Sequence, residues 1–228
     1  MNKTTSIEKA VGRISDGSSL LVGGFYGIGT PHSIIGEIMR HGKKNLTVIS
    51  IEGGSPGYGL GKLIGSGCVS KLVVSWLGNN KNAIYKLISE GKLEMEVNPQ
   101  GTLVERVRAG GYGLGGVLTP TGLGTYIEAN NIGTRMTVNG KDWLYHTPIK
   151  ADVCIVEAYQ GDEFGNLIFR GSQMNINNTM CTAADFVIAS VMCPICPVGG
   201  LVPTQVHTPG CFVDAVVQTE NKQREAGE

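Results

Sequence analysis

The chain has 228 residues, of which 34 are glycine, and 19 Lys and Arg side chains balance 19 Asp and Glu side chains to a formal net charge of zero. This balance gives no electrostatic reason to bind nucleic acid or an anionic membrane. The sequence opens with no charged-then-apolar signal segment and holds no apolar run of about 18 residues. We therefore expect a soluble, cytoplasmic protein with a substantial core.

The cysteines and histidines do not predict a metal or redox centre. In a cytosolic chain, the six cysteines are expected to be free thiols. Cys193 and Cys196 have redox-motif spacing, but they follow an apolar run and are interleaved with prolines, so we interpret them as part of a structural loop. No second C-x-x-C completes a zinc site, and no metal-ligand spacing relates the four histidines, His32, His41, His146 and His207.

The first half of the chain alternates between short apolar strands and amphipathic helices. The predicted strands are Ser19–Val22, Leu46–Ile51, Val69–Ser75 and Leu93–Val97, and the predicted helices are Ile7–Ile14, Pro31–Gly42, Gly59–Gly65 and Lys81–Glu90. The first strand is followed by a glycine loop, Gly23–Gly29, and then by a helix. Helix amides behind such a loop suit an anion or an oxyanion, although a tight turn that binds nothing has the same pattern.

Glu52 lies in a second glycine-containing loop, at the end of the second predicted strand. It is the one carboxylate of the chain that suits the role of a nucleophile or a base. An exposed loop glutamate is the more common occurrence at such a position. The sequence therefore keeps Glu52 as a candidate site residue without assigning it a catalytic role.

The stretch from Asn98 to Thr125 is unusually rich in glycine. Pro99 predicts a turn, and the capping-box spacing of Thr102 and Glu105 predicts a short helix that ends at Gly110-Gly111. Seven glycines lie between positions 110 and 124, which predicts a close approach of the backbone to a ligand or to another chain. The alternative is a glycine-rich surface loop without a ligand.

One match within this stretch is misleading. Residues 111–116 satisfy the pattern G-x-G-x-x-G, but they follow a predicted helix and lead into Val117–Pro120. A dinucleotide-binding fingerprint follows a strand and opens a helix. We therefore do not interpret these glycines as a dinucleotide site.

The second half of the chain begins with a polar segment, residues 126–150, in which Asn139-Gly140 predicts a hairpin turn. Three further strands are predicted over Ala151–Ala158, Phe186–Val191 and Phe212–Val217. The alternation predicts an α/β fold: a doubly wound, mostly parallel sheet with helices on both faces and ligands at the carboxyl ends of the strands. We expect a single domain over residues 1–218 and a polar, disordered tail over residues 219–228.

Three segments resemble one known family. Residues Asp16–Pro31, D-G-S-S-L-L-V-G-G-F-Y-G-I-G-T-P, resemble the signature of the class I, glutamate-dependent coenzyme A transferases. Pro99–Arg106, P-Q-G-T-L-V-E-R, resemble a second hallmark of their α chain. Gly113–Thr119, G-L-G-G-V-L-T, is similar to the acetate/butyrate–acetoacetate branch. The resemblance covers nearly the whole chain, from Asp16 to Val217, and implies a CoA-transferase-like fold.

The resemblance implies half of an enzyme. In this family the β chain supplies a glutamate, within a Ser-Glu-Asn-Gly motif, that attacks the acyl-CoA and forms a glutamyl-CoA. No such motif occurs in this sequence. The implied partner is a CoA-transferase β subunit, in a heterodimer or an α2β2 heterotetramer. Coenzyme A would be a substrate rather than a tightly bound cofactor, and the other substrates would be short-chain acids.

The same resemblance implies roles for particular residues. The loop that lines the CoA site would be Gly23, Gly24, Phe25, Tyr26, Gly27, Ile28 and Gly29. Gln100 would donate to the oxyanion, since a side-chain amide suits a developing negative charge. The further substrate-lining residues would be Gln100, Gly101, Gly113, Gly115, Gly116 and Glu52.

The sequence departs from the family pattern at three places, one of which is the Cys193–Cys196 segment, where a more acidic sequence is usual. Residues 50–54, S-I-E-G-G, replace the asparagine-rich sequence that usually follows the second strand, and Asn175-Ile176-Asn177 replaces Asn-Phe-Asn. A carboxylate beside a carboxylate substrate is unfavourable unless it is compensated. Glu52 therefore puts the identity of the preferred acid in question.

Two other functional classes stay open on the sequence alone. Sugar-phosphate isomerases of related fold would use a carboxylate of this chain for proton transfer and would act without a partner. A non-catalytic chain would bind CoA or a partner but show no turnover, even with a β chain.

Overall fold

The computed structural model describes residues 2–219. The strands are β1 (Ser19–Val22), β2 (Leu46–Ile49), β3 (Val69–Val74), β4 (Glu94–Val97), β5 (Val117–Thr119), β6 (Thr134–Val138), β7 (Lys141–His146), β8 (Ala151–Ala158), β9 (Gln160–Gly161), β10 (Leu167–Ile168), β11 (Ala184–Val191) and β12 (Ala215–Gln218). The α-helices are α1 (Ile7–Gly12), α2 (His32–Arg40), α3 (Gly59–Gly65), α4 (Lys81–Ser89), α5 (Gln100–Gly111), α6 (Tyr126–Ala129) and α7 (Asn177–Met180).

A seven-stranded parallel sheet forms the centre of the fold. Its order is β12-β11-β8-β1-β2-β3-β4. The strands β2, β3 and β4 therefore lie on one side of β1, and the later strands β8, β11 and β12 lie on the other. The order reverses between β1 and β8, and this is where open α/β sheets bind ligands, beyond the carboxyl ends of the strands. The predicted α/β fold with a doubly wound parallel sheet is confirmed.

Both faces of the sheet are covered by helices, as predicted. Along β1, Leu20 and Val22 pack in one core cluster with residues of α1, α2, α3 and α4, whereas Leu21 packs in a second cluster with residues of α5 and α7. The alternation follows from the period of two along a strand. The loops at the carboxyl edge are therefore held between two packed layers.

The segment between α5 and β8 forms a small antiparallel sheet, of order β5-β7-β6. The predicted hairpin turn is confirmed, with Asn139 at φ 52° and Gly140 at φ 71° between β6 and β7. Positive φ at both central residues is the geometry that favours Asn-Gly in two-residue hairpins.

The predicted capping box is wrong. Helix α5 begins at Gln100, directly after Pro99, and the first helical bond runs from the Leu103 amide to the Pro99 carbonyl at 2.9 Å. Thr102 therefore lies inside the helix and is buried, while Glu105 pairs with Arg108 at 2.6 Å on the helix surface. The rigid φ of Pro99 starts the helix earlier than the side-chain pattern indicates.

Gly110 and Gly111 lie within α5 and do not adopt positive φ; that conformation appears at Gly113, at φ 69°. A Cβ at Gly110 would lie 1.9 Å from the Ile149 carbonyl oxygen, and one at Gly111 would lie 2.0 Å from Thr182 Oγ1. The helix ends at Gly111, as predicted, but these two glycines allow α5 to pack closely against segments of its own chain and do not supply a positive-φ cap.

Two further expectations concern the end of the chain. The last strand begins at Ala215 rather than Phe212, because Gly210–Phe212 forms a 3-10 turn. Residues 220–228 lie outside the described residues, so the division into a domain and a disordered tail stays a prediction. Over the described range, no helix is long and apolar enough to span a membrane.

Candidate active site

The parallel sheet brings most of the predicted site residues to one edge. The Gly23–Gly29 loop follows β1, Glu52 follows β2, and Gln100 follows β4. Because β1, β2, β3 and β4 are neighbours and all parallel, the segments that follow them lie side by side at the carboxyl edge. This edge is the candidate active site.

The glycine loop folds back on itself. Phe25 and Ile28 exchange two backbone hydrogen bonds of 3.1 and 2.9 Å, which close a tight turn. Gly24 has φ 103°, and a Cβ there would lie 2.6 Å from the Thr30 Cα. Glycine is therefore required for the folded shape of the loop itself, whether or not a ligand approaches it.

The side chain of Asn177, at the start of α7, holds this loop. Its Oδ1 accepts from the Gly24 amide at 2.9 Å, and its Nδ2 donates to the Gly29 carbonyl at 3.1 Å. Asn177 is fully buried. A Cβ at Gly23 would lie 2.3 Å from its Oδ1, so the loop and the asparagine fit closely.

The exposed side chains of the loop are aromatic and aliphatic. Tyr26 is 54 % exposed and Ile28 is 39 % exposed, whereas Gly23, Gly24, Gly27 and Gly29 are buried. Tyr26 adopts φ 50°, an uncommon conformation for a non-glycine residue that directs its ring outward. The surface that this loop offers is therefore apolar and aromatic.

Trp76, which follows β3, extends this aromatic surface. Its ring centroid lies 5.4 Å from that of Tyr26 and 6.1 Å from that of Phe25. The ring remains 39 % exposed. The backbone beneath is fixed, since the Gly53 amide donates to the Trp76 carbonyl at 2.8 Å.

Glu52 is buried, with 5 % of its surface exposed, so the expectation of an exposed loop glutamate is wrong. Its Oε1 accepts from the Tyr26 amide at 2.8 Å. Burial raises the pKa of the Glu52 carboxyl above its ordinary value, and the hydrogen bond from Tyr26 opposes that rise only in part. The loops that follow β1 and β2 thus meet directly through this carboxylate.

A small cavity of about 110 Å³ opens beside Glu52. It is lined by Tyr26, Gly27, Thr30, Glu52, Gly54, Ser55, Tyr58, Gly59 and Leu60. Four of these residues carry hydroxyl groups. The Tyr58 ring packs against His32 in a tilted arrangement, with ring centroids 4.7 Å apart, and His32 Nε2 lies 3.1 Å from the Gly27 carbonyl oxygen. His32 thus supports the wall of the cavity from the first turn of α2.

Gln100 is exposed at the first position of α5 and, like Gly101, does not line this cavity. An internal network fixes the helix behind it. Arg106 Nη1 donates to Glu96 Oε1 at 2.7 Å and to Asn98 Oδ1 at 2.8 Å, and its Nε donates to the Thr147 carbonyl at 2.9 Å. Gln100 is therefore presented from a rigid element at the same edge of the sheet.

The other predicted glycines do not join the cavity. Gly113 and Gly115 have open space where a side chain would lie, and a Cβ at Gly116 would lie 2.3 Å from the Tyr145 ring. These glycines follow the far end of α5, about 16 Å along the helix from Gln100. Their segment contacts β7, where the Tyr145 hydroxyl donates to the Gly115 carbonyl at 2.5 Å.

The cysteine pair at 193 and 196 belongs to an ordered loop. The Cys193 amide donates to the Tyr159 carbonyl at 3.0 Å, and the Cys196 amide donates to the Gly161 carbonyl at 2.9 Å. The first bond continues the pairing of β11 beyond the end of β8, and the second joins the loop to β9. Within residues 2–219, all six cysteines are free and no cluster of three or more His, Cys, Asp or Glu could hold a metal ion.

The comparisons with known proteins agree with this architecture. Residues 4–219 match the coenzyme A transferase family, and the chain belongs to that family. The prediction of a CoA-transferase chain from the signature motifs is confirmed.

The similar proteins are named for several different substrates. The chain is 38 % identical over 217 residues to one of the subunits of the 3-oxoadipate CoA-transferase of Acinetobacter baylyi, covering 95 % of this chain and 94 % of that one. It is 41 % identical over 207 residues to the α subunit of acetoacetyl-CoA:acetate/butyrate CoA transferase of Clostridium acetobutylicum, covering 89 % and 91 %. Both relatives are named as single subunits of a CoA-transferase.

The fold also resembles solved structures. An acyl-CoA transferase of Escherichia coli O157:H7, solved as a thioester complex with CoA, superposes with a TM-score of 0.87 at 21 % identity. The superposition covers 99 % of this chain and 49 % of that chain. At this level of identity the likeness shows the fold.

Sequence reasoning did not identify Asn177, Trp76 or Tyr58 as parts of the site. Asn177 did carry a signal, because the motif that contains it was one of the three departures from the family pattern. Trp76 could have been found from its place directly after a predicted strand, since such positions meet at one edge of a parallel sheet. Tyr58 precedes a predicted helix and carries no comparable signal.

Proposed function

We propose that this chain is the α subunit of a CoA-transferase that moves CoA between a short-chain acyl-CoA and a carboxylic acid, with acetate or butyrate and acetoacetate as the exchanged acids. The reaction runs through a glutamyl-CoA on a partner β chain, in a heterodimer or an α2β2 assembly. Membership of the coenzyme A transferase family supports the class of reaction. The relative from Clostridium acetobutylicum and the G-L-G-G-V-L-T segment support the acid pair.

One observation carries the half-enzyme proposal. The candidate site ends in an exposed aromatic surface, formed by Tyr26 and Trp76, directly above a buried carboxylate. Exposed apolar clusters of this kind are typical of protein interfaces. A covering β chain would shelter an acyl-glutamyl anhydride, because water that reached the anhydride would hydrolyse it.

The residues of this chain have supporting roles in the proposed reaction. The Gly23–Gly29 loop forms one wall of the CoA site. Gln100 donates to the oxygen that gains negative charge when the β-chain glutamate attacks the thioester. Gly101 extends the wall at Gln100, whereas Gly113, Gly115 and Gly116 line the site only if the partner chain closes over that segment.

A second candidate function has one observation in its favour. Glu52 is a buried carboxylate with a raised pKa at the mouth of a cavity, which is the usual setting of an acid or base. An isomerase-like enzyme could use it for proton transfer without a partner. The family match favours CoA transfer, and the two candidates differ in whether the isolated chain turns over.

The test is a substrate panel on the purified chain, alone and with a co-expressed CoA-transferase β subunit. We expect CoA exchange between acetoacetyl-CoA and acetate or butyrate only in the two-chain sample. Succinate and 3-oxoadipate serve as the alternative acceptors. Exchange that is faster with either dicarboxylate would overturn the acid pair but not the class of reaction.

A further inference from the structure

The Glu52 carboxylate lacks the counter-charge that two other shielded glutamates, Glu96 and Glu37, possess. Glu96, on β4, accepts from Arg106 at 2.7 Å and from Asn98 at 2.9 Å. Glu37, on α2, pairs with Arg40 and with His41. Across residues 2–219, Glu52 has a single hydrogen-bond donor, the Tyr26 amide, and no ion pair.

An ionised carboxylate that is buried with a single hydrogen-bond donor is unfavourable in free energy. Transfer of an ionised group from water into a protein interior is unfavourable unless a partner charge or several hydrogen bonds compensate for it. Glu52 Oε1 is occupied by the Tyr26 amide, which leaves Oε2 for a ligand. Glu52 is only 5 % exposed, and its Oε2 can accept a further hydrogen bond or pair with a cation.

The adjoining cavity has the dimensions and the polarity for such a ligand. Its volume of about 110 Å³ accommodates about three or four groups the size of a water molecule, at about 30 Å³ each. Thr30, Ser55 and Tyr58, which all carry hydroxyl groups, are among its lining residues. The cavity opens at the carboxyl edge of the sheet, between the glycine loop and Tyr58.

From this geometry we propose that the Glu52 cavity binds the ammonium end of a short amino acid that serves as the CoA acceptor. This inference rests on the proposed CoA-transferase function and adds a further class of acceptor to the acids proposed above. The ammonium supplies both the charge and the hydrogen bonds that Glu52 lacks. An acceptor with a second carboxylate would place two negative charges together and is disfavoured.

Atoms and electrons balance in the proposed exchange of CoA. The thioester of acetyl-CoA or butyryl-CoA breaks, and CoA sulfur ends on the carbonyl carbon of the amino acid. One oxygen atom of the acceptor carboxylate passes in the opposite direction, by way of the β-chain glutamate, to give acetate or butyrate. No oxidant, reductant or further co-reactant is required, and the amino group stays an ammonium throughout.

The experiment measures kcat/KM for CoA transfer from acetyl-CoA by the two-chain enzyme to carbon-matched acceptors. The acceptors are butyrate, 3-aminobutyrate, 4-aminobutyrate, 3-hydroxybutyrate and succinate. We expect an amino acid to exceed butyrate by about 10-fold or more, the range for hydrogen bonds to a charged group. Glu52→Gln keeps the shape and an acceptor for the Tyr26 amide, and it should lower the amino acid rate about 10- to 100-fold while butyrate changes little.

Glu94→Gln is the matched control, because Glu94 is exposed on β4 and should leave every rate unchanged. The inference is overturned if butyrate equals or exceeds both amino acids, if Glu52→Gln lowers all acceptors alike, or if 3-hydroxybutyrate is the preferred acceptor. A β-chain cation that neutralises Glu52 would produce the first of these results. Absence of transfer to every acceptor would overturn the proposed function as well.

Discussion

The Asn177 side chain accepts a hydrogen bond from the Gly24 amide at 2.9 Å, although 153 residues separate the two in sequence. This contact joins α7 to the loop that follows the central strand. It lies at the point where the sheet order reverses between β1 and β8. The shape of the glycine loop therefore depends on the second half of the chain as well as on its own glycines.

Asn177→Ala should loosen this loop. The change leaves the Gly24 amide and the Gly29 carbonyl without their side-chain partner, at a cost of about 1–3 kcal/mol in the free energy of unfolding. Urea denaturation measures the loss, and the CoA-exchange rate of the two-chain enzyme should fall with it. Asn130→Ala serves as control, because the Asn130 side chain is exposed at the end of α6 and donates to the Tyr126 carbonyl at 2.9 Å. Equal stability of both variants would contradict the anchoring role.

Gly24→Val does not separate a binding role from a folding role. With φ 103° and a Cβ that would lie 2.6 Å from Thr30 Cα, the substitution should disrupt the loop itself. Ile28→Ser is a better test of ligand or partner contact, because Ile28 is exposed. We expect it to leave the unfolding curve in place and to lower activity with the β chain; unchanged activity would assign the loop to the fold alone.

Gln100→Ala should lower turnover rather than folding. If the side-chain amide donates to the reacting oxygen, its loss costs about 2–4 kcal/mol of transition-state stabilisation, and kcat should fall accordingly. Because Gln100 is exposed, the melting temperature should stay the same. Gln205→Ala, also exposed, is the control. A rise in KM with kcat unchanged would argue against an oxyanion role.

The raised pKa of Glu52 predicts a pH-dependent stability difference. A group whose pKa is higher in the folded than in the unfolded state adds stability that is full below the unfolded pKa and is lost as pH rises through the folded pKa. Glu52→Gln removes the group that titrates, and with it the loss of stability at high pH. In the free chain it should be more stable than the parent at about pH 8, and the difference should narrow towards about pH 5.

Denaturation of the parent, Glu52→Gln and Glu94→Gln at both pH values tests the direction of this pH-dependent difference in stability. The other titratable side chains around Glu52 are Tyr26 and Tyr58 in the cavity lining and His32 behind Tyr58, and all are kept in these variants. A difference that widens at low pH would mean that Glu52 has a stabilising partner.

Arg106→Ala should destabilise α5 and displace Gln100. It leaves the partly buried Glu96 without its cation, and the low end of the range for breaking such a pair is about 3 kcal/mol. Arg108→Ala, which removes an exposed pair with Glu105 on the same helix, should cost much less. Thermal unfolding of the two variants provides the comparison, and similar losses would contradict the structural role of Arg106.

The strands were predictable because their apolar runs are bounded by glycine, proline and asparagine turns. The correct prediction of both ends of Ser19–Val22 and Ala151–Ala158 reflects this local signal. The start of α5 was misjudged because two local signals compete there, and the rigid φ of Pro99 prevails over the Thr102–Glu105 spacing. Sequence spacing alone does not show which of two competing signals determines the start of a helix.

The candidate site was only partly predictable. The glycine loop, Glu52 and Gln100 could be placed at one edge from the strand alternation. The burial of Glu52 could not be predicted, since it depends on the Tyr26 backbone, in the loop that follows β1, folding over it. Likewise, Gly110 and Gly111 are explained by Ile149 and Thr182, which are distant in sequence.

The central claim is that the covalent intermediate forms on the β chain and not on this one. The most direct measurement is mass spectrometry of both chains after a brief reaction of the two-chain enzyme with acetoacetyl-CoA, followed by peptide mapping of any CoA adduct. We predict the adduct on a β-chain glutamate and an unmodified peptide around Glu52. A CoA adduct on Glu52, with turnover by the isolated chain that Glu52→Gln abolishes, would contradict the account.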